Sequence, residues 1–576
     1  MLLSKMLRRV VPTRSAGAHR LRRCAVSTFL AGLGSEQRSN NIAIVSKSTE
    51  FSYDYVDKQS SLLASKLVQL RHVTSETRLI AGYNKASVEY VVTMIAAWKL
   101  GKTFMPLSPE HTDGEINYFV DDSGADLLIN SDSTPLGFNI LSRNESFRIV
   151  NISKVLQDGS AFASITEANP SAGEPVCDET LGALVLYTSG TTGRPKGALH
   201  SRRSVDNMVS ALCAEWKYGP SDKILHFLPL HHLHGVLNKL LCVLAVGGTV
   251  EFMPSAKAES IWARLAEEGK KKAVDAERGA EGKRSRAITL FHAVPTIYSK
   301  MLEGVYGSSR MINDTELQNA LAAIKGMRLM TSGSAALPDT IMDKWGLLTG
   351  QMLLERYGMT ELGMVLSNPY EEEAGPGGRV RVRGHVGYPL RSVQCIIVDD
   401  EGGIVKALDT PGELRVKGPT VFSQYLNKPQ ATKEAFDLDG FFRTGDVAVL
   451  TASGSYKLLG RSSTDIIKSS GYKLSALDIE RELLSHPDVL ECAVVGVSDD
   501  VLGEKVVAVL LLRSNATSGD KAKYFKDIRD FLGDKLAAYK QPRDIIAVRA
   551  IPRNYLGKVN KKTLLADIKA SNVVIF

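Results

Sequence analysis

The chain has 576 residues, 44% hydrophobic and 23% charged, an ordinary globular composition too long for a single core. Its net charge of +8 is concentrated in the first 35 residues, where Lys5, Arg8, Arg9, Arg14, Arg20, Arg22 and Arg23 meet no acid; that stretch carries +7 and leaves +1 elsewhere, which excludes a basic nucleic-acid footprint. No run of about eighteen apolar residues predicts a transmembrane helix, and six singly spaced cysteines point to a reducing compartment and away from zinc.

In chain order, residues 1–35 read as a mitochondrial transit peptide, Arg-rich, acid-free and lacking the apolar core of a secretory signal. A disordered basic tail is the alternative. From about Asn40 to Asn130, strand-like runs alternate with the helical stretches "YDYVDKQSSLLASKLVQL" and "SVEYVVTMIAAWKLG", which predicts layered α/β structure. Ala183–Tyr187 reads as a buried strand, and Thr188–Gly197 reads as loop.

That loop, "TSGTTGRPKG", has the parts of a polyphosphate cradle. Its glycines allow successive N–H groups to turn toward one point, Thr188, Ser189, Thr191 and Thr192 add hydroxyls, and Lys196 adds charge. It is not a Walker A loop, because Lys196 is followed by Gly197 rather than Ser or Thr. A flexible surface turn is the bland alternative. Further on, Val205, Met208, Val209 and Leu212 mark one helix face, and the charged stretch Lys257–Arg286 reads as a solvated helix or loop insertion. The C-terminal end switches to a small α+β pattern: helix "SALDIERELLSH", strands near 491–497 and 505–512, helix "YFKDIRDFLGDKL" and strand "DIIAVRAI". The expected division is a leader at 1–35, a large domain of layered sheets and helices at 36–460, and a small mobile α+β domain at 461–576.

Six further stretches follow the loop in order: "LPLHHLHG" (228–235), "TSGSAALP" (331–338), "ERYGMTELG" (355–363), "FRTGD" (442–446), "GRSSTDIIKSSGYKLSALDIE" (460–480) and "PRNYLGKVNKK" (552–562). With them the chain resembles the adenylate-forming acyl-CoA synthetases, the superfamily shared with luciferases and nonribosomal peptide adenylation domains. The resemblance covers about residues 40–565.

The resemblance implies two half-reactions: a carboxylate joins AMP with loss of pyrophosphate, and the thiol of coenzyme A then displaces AMP. It implies that Thr188, Ser189, Gly190, Thr191, Thr192, Gly193, Arg194, Pro195 and Lys196 hold the ATP phosphates. Glu361, after the hydroxyl of Thr360, would hold Mg²⁺ with Thr192. Tyr357 would lie near adenine, and Asp446 would accept the ribose hydroxyls with help from Arg461. Phe442 stands where a tyrosine is common, a change of little expected cost. Lys558 would bridge the carboxylate and the α-phosphate in the adenylation transition state. The small domain would pivot at Ser463–Thr464, beside Gly460, although the segment before Asp465 is one residue longer than usual. Ser470, Gly471, Tyr472 and Lys473 would then line the CoA tunnel.

The text "LLERYGMTELGM" further resembles the malonyl-CoA synthetases. Independently, an arginine at an acyl pocket suits a substrate with a second negative group, so Arg356 is the candidate for the distal carboxylate, with His234 and Ser334 as added donors. His231 and His232 are read as structural. An outward Arg356 in a surface ion pair with Glu355 or another acid is the competing reading. Methylmalonate or a short or medium-chain monocarboxylic acid remains open as substrate, as does an inactive nucleotide-binding scaffold, although Lys558, Glu361 and Asp446 are all present.

Overall fold

The computed structural model describes residues 33, 35, 38–137, 140, 144–157, 181–188, 194–277, 287–307, 310–375, 377–513, 521–533, 535–553 and 559–570. The expected leader, and Ser189, Gly190, Thr191, Thr192, Gly193 and Lys558, lie outside these residues, apart from two positions at the leader's end.

Two large sheets, of nine and seven strands, dominate the N-terminal part. Strands Lys223–His226, Leu290–Ala293, Leu329–Ser332 and Leu354–Met359 run parallel in the first; Leu79–Tyr83, Thr103–Leu107 and Leu127–Asn130 run parallel in the second. Helix Val88–Lys99 has ten of twelve residues buried, as a helix clamped on several sides must. Its Trp98 indole donates to Ala183 O at 2.7 Å and its Tyr90 hydroxyl to Leu230 O at 3.0 Å. One core therefore joins residues of both sheets, such as Ile44, Val250, Ile80 and Leu184, with the helices packed against them.

The expected helix face at Val205, Met208, Val209 and Leu212 is buried, on helix Arg202–Glu215. Two expectations need correction. Gly197 is not loop but the first residue of strand Gly197–Ser201, which pairs back on Gly182–Tyr187. The stretch from Lys257 is not a solvated insertion throughout: helix Ala258–Glu277 buries Ile261, Trp262, Leu265 and Ala266 in a second core. Its apolar residues recur at helical spacing, and the flanking charge clusters hide that stripe in the sequence.

A four-stranded antiparallel sheet contains Phe442–Leu450 and Tyr456–Arg461. After it comes the small C-terminal α+β unit, a five-stranded sheet built on the long pair Val489–Asp499 and Gly503–Leu512, with helices Ala476–Leu483, Lys521–Gly533 and Lys561–Lys569. It has its own apolar clusters.

Candidate active site

The parallel strands of the nine-stranded sheet release their C-terminal ends side by side, the usual position of a site in an α/β fold. "FLPLHHLHG" follows His226, "GSAALP" follows Ser332, and the neighbouring strand Leu354–Met359 carries Arg356 and Tyr357.

The antiparallel strands Gly182–Tyr187 and Gly197–Ser201 flank the Gly/Thr stretch. Tyr187 faces Gly197 across the strands, and Thr188 N donates to Lys196 O at 2.9 Å, which pins the neck. A Cβ at Gly197 would press on Val185 and Tyr187. The Arg194 guanidinium lies 5.4 Å from the Tyr118 ring centre, and the Tyr118 hydroxyl donates to Pro195 O at 2.7 Å. Lys196 Nζ sits 4.8 Å from the ring centre of Tyr425, whose hydroxyl donates to Glu361 Oε1 at 2.8 Å. Burial raises the Glu361 carboxyl above its ordinary range, opposed by the Tyr425 hydrogen bond and then by the charges of Arg461 and Lys196. Thr360 is held through its carbonyl, 2.7 Å from His200 Nε2. Tyr425 and His200 support this site and were missed in the sequence, where neither stands in a motif. A buried carboxylate bonded to a neutral phenol is the hard oxygen donor that Mg²⁺ takes, so Glu361 fits the ion.

Tyr357, Asp446 and Arg461 come together although 89 and 104 residues separate the tyrosine from its partners. The antiparallel register sets Asp446 opposite Arg461, whose Nε is 3.0 Å from Oδ1; the Tyr357 hydroxyl donates to Oδ2 at 2.6 Å. These bonds orient the carboxylate while using part of its acceptor capacity. Phe442 is buried among Phe422 and Phe436, so the phenylalanine there serves packing.

Arg356 does not turn outward. It is 4% exposed, and its Nε and Nη2 have no hydrogen-bond partner. Burial lowers its guanidinium to about 10, partly offset by Tyr218 and Tyr298. Gly333 lies flat against it, and a Cβ there would overlap the guanidinium. His234, also buried, feels the Arg356 charge; its Nδ1 is 3.4 Å from Ser334 Oγ and its Nε2 is unpartnered. Ser334 reaches this position with a left-handed φ of 70°. The structure thus brings all three acid-pocket candidates together. The rings of His231 and His232 lie 4.0 Å apart in a tilted arrangement, and His231 also contacts His111 at 4.7 Å.

The CoA candidates stand apart from this group, in the C-terminal sheet. Ser470 and Gly471, with φ of 51° and 81°, form the two-residue turn of the hairpin Ile466–Ser469/Tyr472–Ser475. Tyr472 stacks on Tyr539 at 4.5 Å, and Lys473 pairs with Asp400 of the large domain. Near the expected pivot, Asp465 Oδ2 accepts from Arg461 N at 2.9 Å, while Lys561 Nζ lies 2.6 Å from both Asp465 Oδ1 and Glu480 Oε1. The sequence reading missed this clamp because its members lie 96 and 81 residues apart.

Residues 34–426 match the family described as AMP-binding enzyme, and residues 478–558 match the AMP-binding enzyme C-terminal domain. The mitochondrial malonate–CoA ligase ACSF3 of Mus musculus is 36% identical, covering 95% of this chain and 91% of its own length; the malonate–CoA ligase of Arabidopsis thaliana is 36% identical, covering 92% and 86%. Among solved structures, ATP-bound MatB from Rhodopseudomonas palustris superposes with a TM-score of 0.76 at 29% identity, over 94% of this chain and 99% of that one. The Tyr357–Asp446–Arg461 cluster and these matches over nearly the whole length agree, and the chain belongs to the AMP-binding enzyme family.

Proposed function

We propose that the protein is an AMP-forming acid–thiol ligase that converts malonate, ATP and coenzyme A to malonyl-CoA, AMP and pyrophosphate. The observation that carries the choice of acid is Arg356, a buried cation with unpartnered donors beside His234. A cation buried without a counter-charge costs several kcal/mol, roughly 3–5 when a pair is broken, and a distal carboxylate supplies the missing partner through two parallel bonds. The malonate ligases among its relatives support the same reading.

In the first step a carboxylate oxygen of malonate attacks the α-phosphorus of ATP, and pyrophosphate leaves. The Gly/Thr stretch with Lys196 would hold the phosphates, Asp446 the ribose, and Tyr357, tied to Asp446, the adenine side. Mg²⁺, held by Glu361 with Thr192, would neutralise phosphate charge. Lys558 would stabilise the transition state. In the second step the CoA sulfur attacks the acyl carbon and AMP leaves, with Ser470, Gly471, Tyr472 and Lys473 lining the thiol's approach after the domain beyond residue 460 turns. The leader composition and the mitochondrial relatives support a mitochondrial matrix location, which a reporter fused to residues 1–35 tests by where it accumulates.

Pyrophosphate release measured with malonate, methylmalonate, acetate, butyrate and octanoate tests the substrate. Malonate should lead. In Arg356→Met the loss of a charge-assisted bidentate contact of about 2–4 kcal/mol should lower malonate kcat/KM roughly 30- to 1000-fold, with butyrate holding or rising. If both acids fall together, Arg356 is only structural and the dicarboxylate reading is lost.

A further inference from the structure

Two supports of the Gly/Thr stretch come from a helix that no sequence motif marks. On helix Asp113–Ser123, Tyr118 and Asp122 stand four residues apart and so share one face. Tyr118 reaches the end of the stretch: its hydroxyl donates to Pro195 O at 2.7 Å, and the Arg194 guanidinium lies 5.4 Å from its ring centre. Asp122 reaches the segments on either side. Its Oδ2 accepts from the Tyr187 hydroxyl at 3.0 Å, its Oδ1 pairs with Lys428, and its backbone carbonyl accepts from Asn427 Nδ2 at 2.8 Å.

These contacts divide the local charge. Asp122 is engaged by Lys428 and Tyr187, and among the described residues no carboxylate pairs with Arg194 or Lys196. Each of those two cations lies instead near an aromatic ring, Arg194 at Tyr118 and Lys196 at Tyr425, 4.8 Å from its centre. A ring holds a cation without cancelling its charge, whereas a carboxylate would neutralise it. Between the two cations, Pro195 has no N–H to donate, and its carbonyl is fixed by the Tyr118 hydroxyl. Burial raises the Tyr118 phenol above its ordinary range, Asp122 adds to this, and the charges of Lys428 and Arg194 oppose it, so the hydroxyl keeps its proton and remains a donor.

We infer that Tyr118 is a positioning residue for the triphosphate of ATP, holding Arg194 and Pro195 so that Arg194 and Lys196 present their two charges together to the phosphates. Tyr118 acts through these neighbours and not by touching substrate. The inference rests on the reading of the Gly/Thr stretch as the phosphate holder. Its consequence is selective. Adenylation depends on Tyr118, whereas thioester formation, which begins after pyrophosphate has left, does not.

The test uses the full-length enzyme and the acid that leads the pyrophosphate-release screen. Tyr118→Phe keeps the ring and loses the bond to Pro195 O, so the ATP KM should rise about threefold to tenfold. Tyr118→Leu loses both contacts and should raise it at least about tenfold. The KM for the acid, and the rate at which supplied acyl-adenylate and CoA form the thioester, should stay near wild type in both variants. In an Arg194→Met background the Phe and Leu variants should no longer differ, since the ring then has no cation to hold. An ATP KM unmoved in Tyr118→Phe, or equal losses in the two half-reactions, overturns the inference alone, and the phenylalanine variant decides this even where the leucine variant fails to fold. If Arg194→Met and Lys196→Met both leave the ATP KM unchanged, the phosphate reading of the stretch fails and this inference falls with it.

Discussion

Glu355 and Arg356 are adjacent in sequence and serve opposite faces of one strand, as the two-residue period requires. Arg356 is buried against Gly333, while Glu355 Oε2 accepts from Gly384 N at 3.0 Å, and burial pushes its carboxyl up to about 7. The sequence offered an outward Glu355–Arg356 pair as a competitor, and strand alternation is what forbids it. Glu361 gives a pH prediction. Its carboxyl is raised by burial, so the ionised form that would bind Mg²⁺ is lost as pH falls through a value above the ordinary carboxylate range. Adenylation should therefore show an acid limb displaced upward. The Tyr425 hydroxyl lowers that value by bonding the ionised form, so Tyr425→Phe should move the limb further up while leaving the plateau close to wild type. A limb that stays in place in the pH–rate profile of pyrophosphate release would show that Glu361 does not govern the step.

At the scale of elements, the motifs that carried the resemblance are those whose residues sit at strand ends and turns: "GSAALP" after Ser332, "SSGYK" at a hairpin, "FRTGD" in a paired strand. Their chemistry was legible because it is local. The partners that complete them were not: Tyr425 under Lys196, Tyr218 and His292 behind Arg356, and Lys561 at the pivot meet their targets only through tertiary packing. Strands near 491–497 and 505–512 were legible from apolar runs, with ends that pairing extends to Val489–Asp499 and Gly503–Leu512. The clamp at the proposed pivot yields a prediction. Asp465, Glu480 and Lys561 are nearly buried, and the carboxylates raise the lysine above its usual range. Lys561→Met would strand two acids, a loss of about 3–5 kcal/mol for a broken buried pair. Thermal unfolding and limited proteolysis should show the region beyond residue 460 opening before the large domain. Unchanged protection would mean the clamp is not a fixed part of the hinge.

At the scale of the molecule, the two half-reactions ask for different things at the same phosphorus and carbonyl centres. Adenylation brings two anions together and needs a cation between them; thioester formation needs that position cleared so that a thiol can approach. A single rigid arrangement serves one of these poorly, which is the physical reason behind the proposal that the unit beyond residue 460 turns between the two steps. At the proposed joint, Gly460 has a φ of 120°, a conformation a side chain would disfavour, and Asp465 caps Arg461 N just beyond it. The lysine proposed for the first step, Lys558, lies three residues before the clamp residue Lys561, so its position should follow the orientation of the small domain. Its replacement should then divide the reaction. Lys558→Ala should remove pyrophosphate release from malonate and ATP by at least about 100-fold, the scale of a lost transition-state charge contact, while the variant still converts supplied malonyl-adenylate and CoA to malonyl-CoA at close to the wild-type rate. Half-reaction assays read both quantities in one preparation. Equal losses in the two steps would place Lys558 in a role common to both and remove the argument that domain rotation separates them.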